Sequence, residues 1–560
     1  MRLFLHAVLL GTLLCAINHA GVLAGMLDPP AGYVPAHFIR NLDVPQYLTW
    51  AELSKQHGLL PDYHAPWLTE PALFQPMFWI VGHTMLPMAV SYYLFQILTY
   101  WLAALALLQA ARTFCETRRQ MFYSAAVVVC SIPLLMLGWV AAMALGWSTA
   151  LRTFLGLGVV HYAYDTADGL VRGGLSNSIT LTFGTAMTLF AFTNLARYIK
   201  DGQRRHYLWL VACVFFDGLF HPFEIFLITT AAVWPLWRAG KKHMIPWLFA
   251  AAGVGMSPYV IQTVRSSWVR DASDLAQWTM GSPAWVLLAF GIPAAMVCWL
   301  MLINFRVKRP EDGVLQSWFL CASLLPMIPV IPVSSHLFDG FVYCLGFLLV
   351  RKATEDRLIS RLFATRPRVM RFGLAGWVLA SAAALGTMYA QVWKEGKSPE
   401  PDLFLSAVAP LDEVRMIDWM RASLPHQDLV LAPSAMAPWV ATIPMPSFAS
   451  HDLFSISYNA QQDLSDRFYK GENLRRELID NFGVSYVVVP KSTPLQLEDA
   501  ELVHEEASLR LYHIPNQHMQ PYPGAANIAG SKPKNAFRQW ILRILTAIVP
   551  SNTATGRPRA

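Results

Sequence analysis

The 560-residue chain is 55% hydrophobic and only 14% charged, with a net charge of +7; a soluble domain ordinarily carries about 25% charged residues. That balance excludes an ordinary soluble globule and points to a polytopic membrane protein. The positive charge sits in short loops between apolar stretches, so it reads as an orientation signal and as contact with anionic headgroups, not as a nucleic-acid footprint.

A helix crosses the hydrocarbon core with roughly 20 apolar residues. The first candidate is 3–26, behind Arg2. Read as an uncleaved helix it starts an unbroken alternation of loops; small residues near its end also fit a cleaved signal peptide. Further spans are predicted near 86–111, 121–144, 176–196, 207–220, 222–237, 244–263, 284–305, 314–333, 337–350 and 372–393, about eleven in all. The fifth and sixth are short and must enter and return within 207–237, as two tilted helices or a re-entrant hairpin.

Every second loop is basic: Arg112, Arg118 and Arg119; Arg197, Lys200, Arg204 and Arg205; Arg238, Lys241 and Lys242; Arg306, Lys308 and Arg309; then the run from Arg351 to Arg371. Short basic loops stay cytoplasmic. The expected placement is a plasma (inner) membrane with a cytoplasmic N-terminus and an extracytoplasmic C-terminal region. The expected organisation is a membrane domain over 1–394 with outer loops 27–85 and 145–175, an outer domain over 395–516, and a tail over 517–560.

The outer domain reads as α/β. Residues 412–424 have helical spacing, with Val414, Ile417, Trp419 and Met420 toward one side. Residues 428–433 and 484–490 are apolar strands, 473–483 is a helix closed by glycine, and 501–515 is two strands around a turn. The seven cysteines show neither metal-site nor disulfide spacing, and none lies in this domain. The tail is rich in Gly, Asn and Pro and reads as disordered, except for a basic, aromatic, amphipathic stretch over 537–549 suited to a membrane surface.

Candidate chemistry gathers at the outer side. Asp43 follows the first span and precedes Tyr47 on a helix-like run; an aspartate there also serves as a helix cap. The second outer loop holds His161, Asp165, Asp168 and Arg172. Asp165 and Asp168, one helical turn apart, could share a divalent cation such as Mg2+ or Mn2+, or could belong to a plain polar loop. His221 and Glu224 stand between the two short spans, where ionisable groups are costly unless paired or functional. They could pair across one turn, or face an outward cavity together with His336 and Asp339 at the outer end of the tenth span. Arg265 and Arg270 could meet a lipid phosphate or reach for interfacial water.

This arrangement resembles the membrane-embedded glycosyltransferases of the GT-C type, such as the protein O-mannosyltransferases, the aminoarabinose transferases of lipid A and the catalytic subunit of oligosaccharyltransferase. LDVPQYL (42–48) is similar to the Asp-Pro-x-Tyr form of the family's first outer loop, and TEPALFQPMFWIVG (69–82) looks like the aromatic stretch leading to its second span. The segment 468–490 resembles the outer domains of bacterial members. The resemblance covers most of the chain in architecture but only short motifs in sequence, and no clear Asp-x-Asp stands in the second loop. It implies sugar transfer from a polyprenyl-phosphate carrier to a saccharide, lipid or protein acceptor. Asp43 would be the general base, with Tyr47, Arg172, His221, Glu224, Arg265, His336 and Asp339 around the substrates. Two other readings stay open: a transporter or flippase of lipid-linked saccharide, which charge within the helices would favour, and a non-catalytic envelope-assembly protein.

Overall fold

A computed structural model of the chain describes residues 1–36, 44–60, 73–130, 134–155, 178–266, 269, 284–303, 305–328, 337, 340–355, 361, 365–399, 406–425, 428–443, 445–450, 458–494 and 499–515. The protein is mainly helical, with two small sheets. Each expected span overlaps a helix or a helix pair among the described residues. Among the described residues, Met88–Phe114, Ile179–Asp201 and Lys242–Arg265 are long and apolar enough to cross a bilayer alone, and a bent pair, Arg2–Asn18 with Ala20–Leu27, makes a fourth.

That pair, α1 (Arg2–Asn18) and α2 (Ala20–Leu27), turns through 69° at His19. The His19 ring bonds the Cys15 carbonyl at 2.8 Å, the same oxygen that accepts the His19 amide. A side chain competing for a ladder carbonyl is an established cause of a helix bend. Asn18 donates to the Tyr100 hydroxyl at 2.8 Å and accepts from Tyr389 at 3.1 Å, which ties the bend to two later helices.

Beyond the bend the chain does not leave the body of the protein. Strand β1 (Tyr33–Pro35) pairs antiparallel with β2 (Val408–Pro410), so the first loop joins the chain that follows the last long helix. Helices α3 (Val44–Leu53) and α4 (Pro76–Gly82) complete the described part of that loop.

The bundle follows: α5 (Met88–Phe114), α6 (Arg118–Cys130), α7 (Leu134–Ala144), α8 (Ile179–Asp201), α9 (Arg204–Phe220), α10 (Ile225–Arg238), α11 (Ile245–Arg265), α12 (Ala284–Ile303), α13 (Pro310–Leu324), α14 (Phe341–Glu355) and α15 (Pro367–Gly396). Helix α8 is the centre: 89% of its most apolar window is buried, against 17% for the stretch containing α11. Helix α12 breaks at Gly291, whose φ of +61° is left-handed, with Pro293 two residues on. The short spans are real as helices: α9 and α10 have 17 and 14 residues and are joined by the turn at His221–Glu224.

Four of the cations at the basic-loop end are matched by carboxylates. Lys200 meets Glu311 at 2.7 Å, Arg351 meets buried Asp312 at 2.5 Å, Lys308 meets Glu355 at 3.3 Å, and Arg309 pairs with Glu116. Part of the loop charge therefore also fastens helices together.

The C-terminal region is an α/β layer. Helix α16 (Leu411–Ser423) covers a four-stranded sheet ordered β3–β4–β6–β5, formed by Leu429–Leu431, Val484–Pro490, Leu509–His513 and Glu501–Glu505. The β3–β4 pair is parallel and the others antiparallel. The expected strands and the helix over 412–424 are all present. The helix expected over 473–483 is a π-helical turn, Arg476–Asn481, closed by Gly483 at φ +74°. Strand β4 is buried on both faces. Tyr486 and Val488 join one cluster, Val487 and Val489 the other.

The first of those clusters is not confined to the C-terminal region. Val44, Leu48, Trp50 and Phe78 of the first loop share it with Met416, Met420, Val430 and Trp439. Helix α3 packs on the short helix α17 (Ala437–Ala441). A further seam joins the parts at small residues. A Cβ on Gly396, at the end of α15, would strike the Gly21 backbone of α2, and one on Gly25 would meet the Ala407 oxygen at 2.8 Å. Gly396→Val is expected to force these backbones apart and to cost about 1–3 kcal/mol or more. Thermal unfolding in detergent measures it; an unchanged midpoint would show that the seam yields freely.

Candidate functional site

The site is built where the first loop meets the top of α8. Tyr47, in the first turn of α3, lies flat on Phe78 with ring centres 4.7 Å apart, and Trp50 tilts against the same ring at 5.6 Å. Offset aromatic stacking of this kind adds roughly 0.5–1.5 kcal/mol beyond burial. The Tyr47 hydroxyl accepts from Ser178 at 3.5 Å. Ser178 is also the N-cap of α8, accepting from the Leu181 amide at 3.4 Å. One serine thus links the helix that follows Asp43 to the central helix of the bundle. Gln96 of α5 reaches the Ser178 carbonyl and the Thr182 hydroxyl, both at 3.4 Å.

Two turns into α8, Gly184 opens a space that the His221–Glu224 pair occupies. A Cβ at Gly184 would stand 2.5 Å from Glu224 Oε1 and 2.8 Å from His221 Nδ1. His221 Nδ1 lies 2.7 Å from each Glu224 oxygen, and the two side chains are 7% and 0% exposed. Helix α9 ends at His221 and α10 starts after Glu224, so the turn between the two short helices delivers both groups inward. Asp217 lies one turn earlier on α9 and is fully buried. Neither of its carboxylate oxygens makes a hydrogen bond among the described residues. Three buried ionisable groups therefore share the interior of the bundle.

The first loop is anchored on the other side as well. The Gln262 side chain of α11 accepts from the Phe74 amide at 2.8 Å and donates to its carbonyl at 3.3 Å. Tyr259 donates to Gln75 at 3.2 Å. One turn on, Arg265 is exposed and makes no ion pair among the described residues.

Tyr47, His221, Glu224 and Arg265 are thus placed by the structure. Tyr47 and the His221–Glu224 pair lie against successive turns of α8, while Arg265 stands apart on α11. Asp43, Asp165, Asp168, Arg172, Arg270, His336 and Asp339 lie outside the described residues, as does the tail over 517–560. No group of three His, Cys, Asp or Glu side chains suited to a metal ion occurs among the described residues.

Sequence reasoning did not single out Asp217, Gly184, Ser178 or Gln262. Asp217 carried a signal, an acid inside the apolar run VFFDGLF. The others have none, because their roles come from what packs against them.

No protein-family model matches the chain, and no curated protein does. Among solved structures the chain is similar to the crystal structure of ArnT from Cupriavidus metallidurans in the apo state, at 13% identity, covering 85% of this chain and 94% of that one, with a TM-score of 0.39.

Proposed function

We propose that this protein is a membrane glycosyltransferase that moves a sugar from a polyprenyl-phosphate carrier to an acceptor at the outer face. The observation that carries the reading is the course of the first loop. Its β1 pairs with β2, its α3 enters the outer domain's apolar cluster, and Tyr47 touches the top of α8. The chain immediately after Asp43 is therefore held between the outer domain and the bundle, a covered position at the edge of the apolar body. A carrier lipid could present its phosphate there from the membrane while an acceptor arrives beneath the outer domain.

In this reaction the acceptor oxygen forms a bond to the anomeric carbon, and the bond from that carbon to the phosphate oxygen breaks. The carrier phosphate leaves with the electron pair. Asp43 takes the acceptor's proton as general base. The departing phosphate needs positive charge nearby; Arg265, exposed at the end of α11, and Arg172 are the side chains proposed for it. Asp165 and Asp168 are the proposed ligands if a divalent ion takes part. Tyr47 shapes the acceptor entrance, and His221 and Glu224 stiffen the turn beneath it. His336 and Asp339 complete the proposed substrate-binding set.

A second reading has one specific support. Asp217, His221 and Glu224 are enclosed within the bundle, and buried ionisable groups of this kind also mark proton or ion paths in transporters. Deletion of the gene distinguishes the two. A transferase leaves its lipid-linked sugar donor to accumulate with the sugar on the outer leaflet. A flippase leaves the same lipid on the inner leaflet. Accumulation on the outer side with loss of one glycosylated product is the expected outcome; inner-leaflet accumulation would overturn the transferase reading.

A further inference from the structure

Helices α9 and α11 touch at glycines and then leave a trough. A Cβ on Gly255 would stand 2.5 Å from the Phe215 carbonyl oxygen, and one on Gly218 would lie 3.1 Å from the Gly255 backbone. Toward the basic-loop end a groove of about 440 Å³ opens between the two helices, walled by Leu208, Ala212 and Phe216 on α9 and by Trp247, Ala251 and Val254 on α11. Its lining is apolar. Leu208, Trp247 and Val254 are 56%, 67% and 61% exposed, so it faces outward from the bundle and not into it.

The mouth of the groove is basic. Arg204 precedes Leu208 by four residues and Ala212 by eight, which puts all three on one stripe of α9. Arg205 lies beside it, and Lys242 opens the turn that leads into α11. One contact holds these ends together, Tyr207 donating to the Met244 carbonyl at 2.7 Å, while the Lys241 ammonium sits 3.9 Å from the centre of the Tyr198 ring on α8. Lys200, Lys308, Arg309 and Arg351 at the same end are matched by carboxylates. Arg204, Arg205 and Lys242 are exposed and make no ion pair among the described residues. An apolar slot continuous with unmatched cations has the chemistry of one ligand, an acyl chain attached to an anionic headgroup.

We propose that this groove and its rim form a binding site for one anionic phospholipid of the leaflet on the basic-loop side. An acyl chain lies in the α9–α11 groove, and the headgroup phosphate is held by Arg204, Arg205 and Lys242. The proposal rests on the chain being a membrane protein but on neither the transferase assignment nor the direction of insertion. Failure of either leaves it standing, and its own failure leaves them standing.

The test is native mass spectrometry of the full-length protein purified in neutral detergent and offered phosphatidylglycerol or phosphatidylcholine with the same acyl chains. Wild type is expected to retain one phosphatidylglycerol in clear preference to phosphatidylcholine. A basic residue at a membrane surface contributes about fivefold to anionic lipid binding. The Arg204→Gln, Arg205→Gln, Lys242→Gln combination should therefore lose that preference by on the order of 100-fold. Ala251→Trp, which fills the groove and leaves the rim intact, should lose the retained lipid. Lys242→Gln alone, in an exposed turn, should weaken retention about fivefold and keeps the test decisive if the triple variant unfolds. Equal retention of the two lipids by wild type, or unchanged phosphatidylglycerol retention in folded triple, Lys242→Gln or groove-filled variants, would overturn the site.

Discussion

Asp43→Asn is expected to leave the protein folded and inserted while product formation falls about 100- to 10,000-fold, the range typical of lost general-base assistance. The substitution keeps the size of the side chain and most of its hydrogen bonding. It removes only the carboxylate that accepts the acceptor's proton. Helix α3 starts at Val44, so Asp43 also stands at that helix's N-terminal boundary, where it could act purely as a cap. The two roles separate cleanly in this variant, because asparagine caps a helix about as well as aspartate. A capping role makes the change nearly silent. Lipid-linked sugar and glycosylated product, quantified at equal protein level in the membrane, decide between them. Normal product would sink the catalytic assignment and leave the cap.

Arg351→Leu is expected to be the most damaging single change in the bundle. Arg351 contacts Asp312 at 2.5 Å and donates to the Phe114 carbonyl at 2.9 Å, so it binds α14 to α13 and to the end of α5 at once. The paired side chains are only 7% and 2% exposed. Removing one member of a buried ion pair leaves the other desolvated and costs about 3–5 kcal/mol, far above the 0–1 kcal/mol of an exposed pair. The unfolding midpoint in detergent should fall accordingly. Adding Asp312→Asn should recover much of the loss, since it removes the stranded charge yet still accepts the Arg309 amide bond that caps α13. If Arg351→Leu alone costs less than about 1 kcal/mol, water reaches the pair and screens it.

Much of the fold was legible in the order of the residues. Apolar length pointed to the described helices of the bundle, including the two short ones, because that signal acts over one segment at a time; the single span expected over 121–144 is two helices. Strand β4 was read end to end from its β-branched and aromatic run, and α16 from its spacing. The π-helical turn before Gly483 was missed, as hydrophobic spacing does not distinguish it from an ordinary helix. At the site, the His221–Glu224 pair was visible as two ionisable residues one turn apart in an apolar setting. Asp217 beside it was passed over, although the cost of burying an acid was the same signal.

What the sequence determined alone was membrane character and the helix and strand segments, both consequences of local composition and period. Only the tertiary structure decided that Gly184 makes room for Glu224, that Ser178 links Tyr47 to α8, and that the first loop and the C-terminal region share one sheet and one apolar cluster. Those contacts join residues such as Tyr33 and Pro410, hundreds of positions apart. They depend on shape and backbone approach between distant segments, which neither composition nor periodicity within one segment encodes.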